Sequence, residues 1–389
     1  MSLPLGGPST AVSLPVHLLP QDDPDAKHSV SGIALCLSGG GYRAMIFHLG
    51  ALLRLNEAGL LTKLDRISSV SGGSITAGYL GLKWSRLRFD GSGIARNLVK
   101  EVIDPIRTLA GKTIDRGAIG VGALLPGVSI ADRVEAAYRK HLFADATLQH
   151  LPDHPRIVIN ATNVQSGVLW RFMRPYMRDY RVGEVRIPTV SLAKAVAASS
   201  AFPPFLSPVR LELQHEDFTP NSGLDLQREP FTTEVVLTDG GVYDNLGLET
   251  ALKRFETVLV SDGGGKMEPE EEPQADWGRH SYRVLDIVDN QVRSLRKRQL
   301  IEAYQRGLRK GTYWGIRTHI EDYQLADALA CPPNRAAELA ATPTRLKRLD
   351  ADRQERLINW GYAVCDAALR KHIDSTLLPP AGFPYPIGI

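Results

Sequence analysis

Apolar runs that end at glycines alternate with segments of helical spacing in the first part of the chain. Residues 33–37 form a continuous apolar run that stops at a glycine cluster, which is typical of a buried strand. Residues 42–59 then place apolar side chains three and four positions apart, as an amphipathic helix does. The same order repeats as a short strand over 65–70 and a helix over 75–82. This pattern predicts a parallel sheet with helices packed on it.

The middle of the chain adds further strands and one short helix. The apolar segment 156–163 predicts a strand, and residues 168–174 can pair with it as a hairpin. Residues 190–200 are small and apolar, which favours a closely packed helix that ends before two prolines. Two more strands are predicted over 234–238 and 257–261, and each runs into glycines.

The two ends of the chain differ from the middle in composition. Residues 1–30 are rich in proline and predict an extended arm. Residues 266–389 begin with an acidic loop and continue mainly as helix, and we expect them to pack on the same domain as residues 31–265. The chain shows no internal repeat and no linker that would divide it.

Composition and charge narrow the class of protein. The chain of 389 residues is 43% hydrophobic and 23% charged, which is ordinary globular composition. Its net charge of +3 (46 basic minus 43 acidic side chains) is too small to indicate a nucleic-acid partner. Cys36, Cys331 and Cys365 show no paired spacing, so we expect neither a disulfide scaffold nor a zinc site.

Apolar segments of the chain are short. None approaches the ~20 residues that span a bilayer, and prolines interrupt the apolar stretch at the N-terminus. We therefore expect a cytoplasmic protein that would meet a lipid surface from the water side.

A glycine-rich turn, Gly39-Gly40-Gly41-Tyr-Arg43, separates the first strand from the first helix. Glycines let the backbone approach a ligand closely, and the helix start adds partial positive charge. The turn can therefore hold an anion, with Arg43 either fixing the loop or assisting. A dinucleotide site is the alternative, because Ala44 fits the looser form of G-x-G-x-x-G. The turn alone does not decide between the two.

The segment Ser69-Val-Ser71-Gly72-Gly73 has the composition of a nucleophile elbow. Strand and helix pass closely at such a turn, so small residues are needed two positions before and after the nucleophile. Ser69 and Gly73 occupy those positions around Ser71, and Gly72 follows as the usual oxyanion donor.

Ser74 is the competing nucleophile in the same segment. Gly72 precedes it by two positions, but the bulkier Thr76 follows, which favours Ser71. The alternative for Ser71 itself is a plain helix N-cap, a common place for serine.

A serine nucleophile needs a base, and an aspartate at the end of a strand is the candidate. The ten histidines stand in no recognisable motif, whereas Asp239 ends an apolar strand and is followed by Gly240-Gly241. This arrangement indicates a Ser–Asp dyad; a plain turn aspartate is the alternative. Asp262, followed by three glycines, is a second candidate, but an acidic loop comes after it.

Together these blocks resemble the patatin-like phospholipase family, whose relatives include cytosolic phospholipases A and fungal lysophospholipases. The glycine-rich turn resembles the family's oxyanion loop, and Val70–Ser74 resembles its nucleophile elbow. Asp239-Gly240-Gly241 with the trailing Tyr-Asp-Asn resembles its aspartate block. The similarity covers roughly residues 31–265. Ser69 departs from it, since the family usually has glycine two positions before the nucleophile.

The resemblance implies an α/β fold: a three-layer α/β/α sandwich with a mostly parallel central sheet. It also implies a serine-linked acyl-enzyme without metal or other cofactor. Ser71 would be the nucleophile and Asp239 the base. The oxyanion loop would comprise Gly39, Gly40, Gly41 and Arg43, completed by Gly72.

The implied partner is a phospholipid or lysophospholipid substrate. The basic stretch 293–310 could rest on anionic headgroups, although charge runs are more often solvated faces. The aromatic residues Trp170, Phe172, Phe202 and Phe205 either line an acyl groove or belong to the core. A catalytically silent lipid-binding protein and an acyltransferase or thioesterase on the same scaffold remain as alternatives. The sequence leaves the oligomeric state open.

Overall fold

The computed structural model describes residues 30–114, 130–204, 206–265 and 267–389. The predicted N-terminal arm, apart from residue 30, lies outside these residues. Ten strands form one sheet: β1 (Val30–Leu37), β2 (Leu64–Val70), β3 (Arg156–Asn163), β4 (Val168–Phe172), β5 (Tyr176–Asp179), β6 (Gly183–Arg186), β7 (Val209–Glu212), β8 (Glu234–Asp239), β9 (Phe255–Asp262) and β10 (Lys310–Gly315).

Helices cover this sheet. They are α1 (Gly41–Glu57), α2 (Gly72–Lys83), α3 (Asp104–Ala110), α4 (Ile130–Tyr138), α5 (Leu192–Ser199), α6 (Gly241–Asp244), α7 (Trp277–Gln305), α8 (Pro333–Ala340) and α9 (Ala351–His372). The predicted helices over 42–59, 75–82 and 190–200 correspond to α1, α2 and α5.

The sheet is mixed rather than mostly parallel. Strands β10, β9, β1, β2 and β3 are parallel neighbours in that order, while β4, β5 and β6 continue from β3 as antiparallel hairpins. The tight turn after β3 explains the change, because a short hairpin joins only antiparallel strands. Strand β8 is also antiparallel to β3, and β7 pairs with β8. The predicted α/β class is confirmed, with a larger antiparallel share than expected.

Alternate side chains of β1 enter two separate cores. Leu35 and Leu37 join the large core that α1, α2 and α9 cover. Ala34 and Cys36 join a smaller core on the opposite face, where Leu300 of α7 also packs. Because both faces of the sheet are covered by helices, the predicted three-layer α/β/α arrangement is confirmed.

The C-terminal residues complete the sheet and one helical layer. Strand β10 extends the sheet beside β9. Helix α9 packs closely on α1 through glycines, because a Cβ on Gly50 would lie 2.0 Å from the carbonyl oxygen of Ile358. A Cβ on Gly361 would lie equally close, at 2.0 Å, to the carbonyl oxygen of Phe47. Across the described ranges, we find no helix with both the length and the apolar composition needed to cross a bilayer.

Strands β2 and β8 meet end to end along β3. Val70, the last residue of β2, pairs with Asn160, and Asp239, the last residue of β8, pairs with the next residue, Ala161. Since β2 is parallel and β8 antiparallel to β3, the carboxyl ends of both strands converge on one point. The topology thus brings the turns after residues 70 and 239 together.

Candidate active site

Ser71 occupies a strained turn between β2 and α2. Its backbone has φ 52° and ψ −119°, in a region that residues with a Cβ seldom adopt. Such strain is characteristic of a nucleophile elbow, which lifts the serine side chain out of the strand. Ser71 is also the N-terminal cap position of α2, but its side chain makes no capping hydrogen bond. The plain N-cap interpretation therefore fails for this residue.

Glycines after Ser71 allow two turns to touch. A Cβ on Gly72 would lie 2.1 Å from the carbonyl oxygen of Gly41, and one on Gly73 would lie 2.4 Å from that of Leu37. Real Cβ atoms do not approach so closely, so only glycine fits at either position. The elbow and the glycine-rich turn are therefore packed backbone against backbone.

Hydrogen bonds through serine hydroxyl groups connect the elbow to α5 and β3. The Ser71 N–H donates to Ser199 Oγ at 3.0 Å, and Ser199 donates to the carbonyl of Asn160 at 2.6 Å. Ser74 Oγ lies 3.0 Å from Ser69 Oγ and 2.8 Å from Ser199 Oγ. The sequence analysis did not predict this role for Ser199.

The same contacts separate Ser71 from Ser74. Ser74 is fully buried and its hydroxyl is engaged with two other serines, whereas Ser71 faces a cavity. Ser69, the departure from the family pattern, donates to the carbonyl of Val158 at 3.0 Å and so anchors the elbow to β3. The geometry favours Ser71 as the nucleophile.

Asp239 lies beside Ser71 in an environment that disfavours its charge. Burial raises the pKa of Asp239 to about 7, although the Gly241 N–H and the Ser71 hydroxyl donate to its carboxyl group and oppose that rise. The Gly241 bond is 2.7 Å long. Among the ion pairs of the described residues, none includes Asp239. A carboxylate with this pKa can accept a proton from a serine and return it.

Asp262 has the opposite environment. Burial favours its neutral form, but nearby Arg293, with a hydrogen bond from Tyr313, holds the pKa of Asp262 below its ordinary value. The Tyr313 bond measures 2.8 Å, and Arg293 Nη2 lies 3.5 Å from the carboxylate. Asp262 is therefore a paired structural anion and does not line the cavity that Ser71 faces.

The glycine-rich turn adopts conformations that favour glycine. Gly40 has φ 138° and Gly41 has φ 57°. Gly41 opens α1, and the first N–H groups of a helix have no partner within it. Gly39 differs, because its N–H donates to the carbonyl of Asn245 at 3.0 Å. A Cβ added to Gly39 would lie 3.2 Å from the Cβ of Ser71, so glycine at this position allows the loop to approach Ser71 closely. The N–H group of Gly39 is already hydrogen-bonded to Asn245.

Arg43 points away from the cavity. Its guanidinium donates to the carbonyl oxygens of Gly263, Ala340 and Thr342 at 3.1, 2.8 and 2.7 Å. Of the two roles that the sequence left open, the contacts support fixing the loop and not direct contact with an anion.

His48 supports the same turn from within the core. Its Nε2 donates to the carbonyl of Ser38 at 3.0 Å, and its Nδ1 accepts from Ser261 at 2.9 Å. Burial lowers the pKa of His48 to about 4, so the ring is neutral at physiological pH. The residue holds the end of β1 in place and is too deeply buried to serve as the base.

The cavity in front of Ser71 measures about 470 Å³. Ser71, Asp239, Gly40, Gly41 and Phe202 line one side of it. The roof comes from α7 and the loop before it. Within the described residues, no group of three His, Cys, Asp or Glu side chains could hold a metal ion.

Of the four aromatic residues considered for an acyl groove, two belong to the core. Trp170 and Phe172 are fully buried, while Phe202 is 38% exposed and lines the cavity. Phe205 lies outside the described residues.

Several side chains of the basic stretch 293–310 form ion pairs within the protein. Arg293 pairs with Asp262 and donates to the Gly265 carbonyl. Arg296 pairs with Glu249 at 3.3 Å. Two further ion pairs join Arg306 to Glu302 and Lys310 to Glu256. Four of the seven basic side chains of this stretch therefore have an acidic partner among the described residues.

The family assignment rests on the same region. The sequence model of the patatin-like phospholipase family matches residues 35–252, which include the glycine-rich turn, the elbow and Asp239. The chain belongs to the patatin-like phospholipase family. This membership supports lipid hydrolysis as the class of function and disfavours the dinucleotide alternative for the glycine-rich turn. No curated protein sequence matches the chain significantly.

Solved structures of two proteins resemble the chain in outline. Human GIVD cytosolic phospholipase A2 is similar with 14% identity and a TM-score of 0.49, over 86% of this chain and 58% of the human chain. The chain thus spans 58% of the length of that relative. VipD from Legionella pneumophila is similar with 15% identity and a TM-score of 0.37, over 89% of this chain and 67% of VipD.

Proposed function

We propose that this patatin-like phospholipase is a serine-dependent lipid acyl hydrolase that uses a Ser71–Asp239 dyad. The observation that carries the proposal is the placement of Ser71 on a strained turn that faces the same cavity as Asp239, a buried carboxyl group whose pKa is raised to about 7. A base with a pKa near the working pH transfers protons efficiently in both directions.

The first half of the reaction forms an acyl-enzyme. Asp239 takes the Ser71 proton while Ser71 Oγ bonds to the ester carbonyl carbon. The carbonyl oxygen becomes an oxyanion, and collapse of the intermediate breaks the ester bond. Asp239 returns its proton to the departing alcohol, which is the lysophospholipid or glycerol headgroup fragment.

The second half repeats the proton transfers with water. Asp239 accepts a proton from a water molecule that attacks the acyl carbon, and Ser71 leaves with that proton. The fatty acid is released and the free dyad is restored. Every proton is therefore accounted for by one carboxylate, without a histidine.

The N–H groups of Gly40, Gly41 and Gly72 are the proposed oxyanion donors. Gly41 and Gly72 each begin a helix, so both helix N-termini direct partial positive charge towards Ser71. Removing one such donor in other enzymes costs roughly 2.7–4 kcal/mol of transition-state stabilisation. Gly39 and Arg43 are proposed to shape the loop rather than to contact the oxyanion.

A fluorophosphonate probe tests the nucleophile. Serine attacks its phosphorus, fluoride leaves, and the adduct is stable to intact-mass measurement. We expect the wild-type protein and Ser74→Ala to be labelled and Ser71→Ala to remain unlabelled. Labelling of Ser71→Ala but not of Ser74→Ala would show that Ser74, and not Ser71, is the nucleophile. A folded protein that takes no label would favour the binding-only alternative.

Release of fatty acid tests the reaction itself. We expect the wild-type protein to release fatty acid from phosphatidylcholine or lysophosphatidylcholine vesicles, and Ser71→Ala to release none. Mass spectrometry of the products separates hydrolysis from transfer, because an acyltransferase would place the acyl group on an added alcohol or lysolipid. Turnover of acyl thioesters alone would instead indicate a thioesterase.

A further inference from the structure

Asn245 directly follows α6, the short helix that begins after Asp239, and it connects both parts of the site. Its backbone carbonyl accepts a hydrogen bond from the Gly39 N–H at 3.0 Å. Asn245 also lines the cavity that Ser71 faces. Neither the proposed proton transfers nor the proposed oxyanion donors make use of its side chain.

The Asn245 side chain lies between the glycine-rich turn and the residue proposed as the base. A Cβ added to Gly39 would overlap Asn245 Oδ1 and would lie 3.2 Å from the Cβ of Ser71. A Cβ added to Gly241 would lie 2.7 Å from the same oxygen and 3.0 Å from Asp239 Oδ1. Each added atom would thus touch Asn245 and one residue of the dyad. The carboxamide of Asn245 is therefore close to both Ser71 and Asp239.

Hydrogen bonds hold the backbone around Asn245 in place. The buried carboxylate of Asp244 accepts a hydrogen bond from the Leu246 N–H at 3.2 Å. The Gly247 carbonyl accepts one from the hydroxyl of Ser68, in the strand that leads to the elbow, at 2.7 Å. A group that acts on a reacting atom needs such support, because small displacements cost activity. Asn245 is therefore fixed relative to β2.

The Asn245 carboxamide has hydrogen-bonding capacity that the protein does not use. A carboxamide has two N–H donors and an acceptor oxygen. Within the described ranges no hydrogen bond to this carboxamide is found, and the residue is half-buried at the edge of the cavity. Its donors are therefore available to a molecule in the cavity.

The proposed reaction defines what stands next to Asp239. The oxyanion faces the backbone donors, whereas the oxygen of the departing alcohol must face Asp239, which returns a proton to it. The attacking water must face the same carboxyl group, because it gives its proton to Asp239. The alcohol and the water therefore use one position in turn, as microscopic reversibility requires. Asn245 lies beside the carboxyl group that defines this position.

We propose that Asn245 is a further catalytic residue, whose carboxamide donates a hydrogen bond to the oxygen of the departing alcohol and then holds the attacking water at the same place. The proton transfers are unchanged: Asp239 gives one proton to the alcohol and takes one from the water, and the amide keeps its hydrogens. This role rests on the proposed function.

A comparison of turnover with labelling tests the role. Fluoride leaves a fluorophosphonate without needing a proton, so labelling requires the nucleophile, the base and the oxyanion donors but not a group that binds the alcohol or the water. We expect Asn245→Ala to lower kcat on a soluble ester about a hundredfold with KM nearly unchanged. We expect the same variant to be labelled at close to the wild-type rate.

Two further variants separate chemistry from shape. Asn245→Asp keeps the size of the side chain but has no donor when ionised, so we expect a loss of kcat at least as large as that of Asn245→Ala. The matched control is Val242→Ala on α6, because Val242 is 41% exposed and does not line the cavity. We expect Val242→Ala to retain the wild-type kcat.

Two results would overturn the role of Asn245 in an active enzyme. One is a kcat for Asn245→Ala equal to that of Val242→Ala. The other is an equal loss of turnover and of labelling in both Asn245 variants, which would show that the residue only shapes the site. A folded wild-type protein that neither takes the label nor releases fatty acid would instead refute the proposed function, and the role of Asn245 with it.

Discussion

The Ser199 hydroxyl accepts a hydrogen bond from the backbone N–H of Ser71 at 3.0 Å. A residue of α5 thus fixes the orientation of the strained elbow. Ser199→Ala leaves the Ser71 N–H and the Asn160 carbonyl without this partner, so we expect a loss of about 1–3 kcal/mol in the free energy of unfolding. We also expect kcat on a soluble ester to fall about tenfold, since the proposed nucleophile is less well positioned.

The neighbouring serine supplies the control for this prediction. Ser200 donates to the carbonyl of Val196 at 2.8 Å and has no bond to the elbow. We expect Ser200→Ala to lower kcat much less than Ser199→Ala in the same assay. Equal effects of both substitutions would show that α5 packing, and not the bond to Ser71, is what matters.

The activity should depend on pH through Asp239. Burial raises the pKa of its carboxyl to about 7, and only the deprotonated form can accept the serine proton. We expect kcat/KM on a soluble ester to rise about tenfold per pH unit below pH 7 and to level off above it. His48, whose pKa is lowered to about 4, does not titrate in this range. A profile that is already level at pH 5 would contradict the assignment.

Asp239 also makes the folded protein less stable at high pH. Its folded pKa of about 7 lies above the ordinary value of 3.8, so the folded state holds a proton that the unfolded state releases. Stability therefore falls as the pH rises from about 4 to 7. We expect Asp239→Asn to be more stable than the wild type at pH 8, by at least about 1 kcal/mol, with a smaller difference at pH 5. Urea denaturation at the two pH values measures this.

Asp262 should behave in the opposite way. Because its folded pKa lies below the ordinary value, Asp262 stabilises the fold above about pH 4, and this contribution is lost as the pH falls through the folded pKa. We expect Asp262→Asn to cost about 3–5 kcal/mol at neutral pH, since it removes the nearest counter-charge of the largely buried Arg293. The difference from wild type should shrink in acid.

Labelling separates the structural role of Asp262 from the proposed role of Asp239. We expect folded Asp262→Asn to react with a fluorophosphonate and folded Asp239→Asn to react far more slowly. The reverse result would move the base to Asp262.

The turns that carry the site could be predicted from the sequence, because their steric demands are local. Three glycines after an apolar run, and two glycines after a serine, permit the positive φ angles and the close backbone contacts that these turns adopt. For the same reason the sequence favoured Ser71 over Ser74. The strands and helices nearest these turns were also predicted.

The rest depends on contacts between distant segments. The antiparallel pairing of β8 with β3 joins distant segments, and no periodicity in residues 234–238 reports strand direction. Ser199 bonds to Ser71 and Asn160, and His48 bonds to Ser261, all distant in the chain, so neither role could be predicted from the local sequence. The sequence shows that the stretch 293–310 is basic, but it does not show which of its side chains point inward and form ion pairs.

The junction of β2 and β8 on β3 has a consequence for how the protein folds. The two residues of the proposed dyad are far apart in the sequence and become neighbours only after both strands have paired with β3. Such long-range pairing forms slowly and late. The time at which Ser71 becomes reactive towards a fluorophosphonate during refolding would therefore report when β2 and β8 have both paired with β3. A chain that ends before β8 would carry an unreactive Ser71.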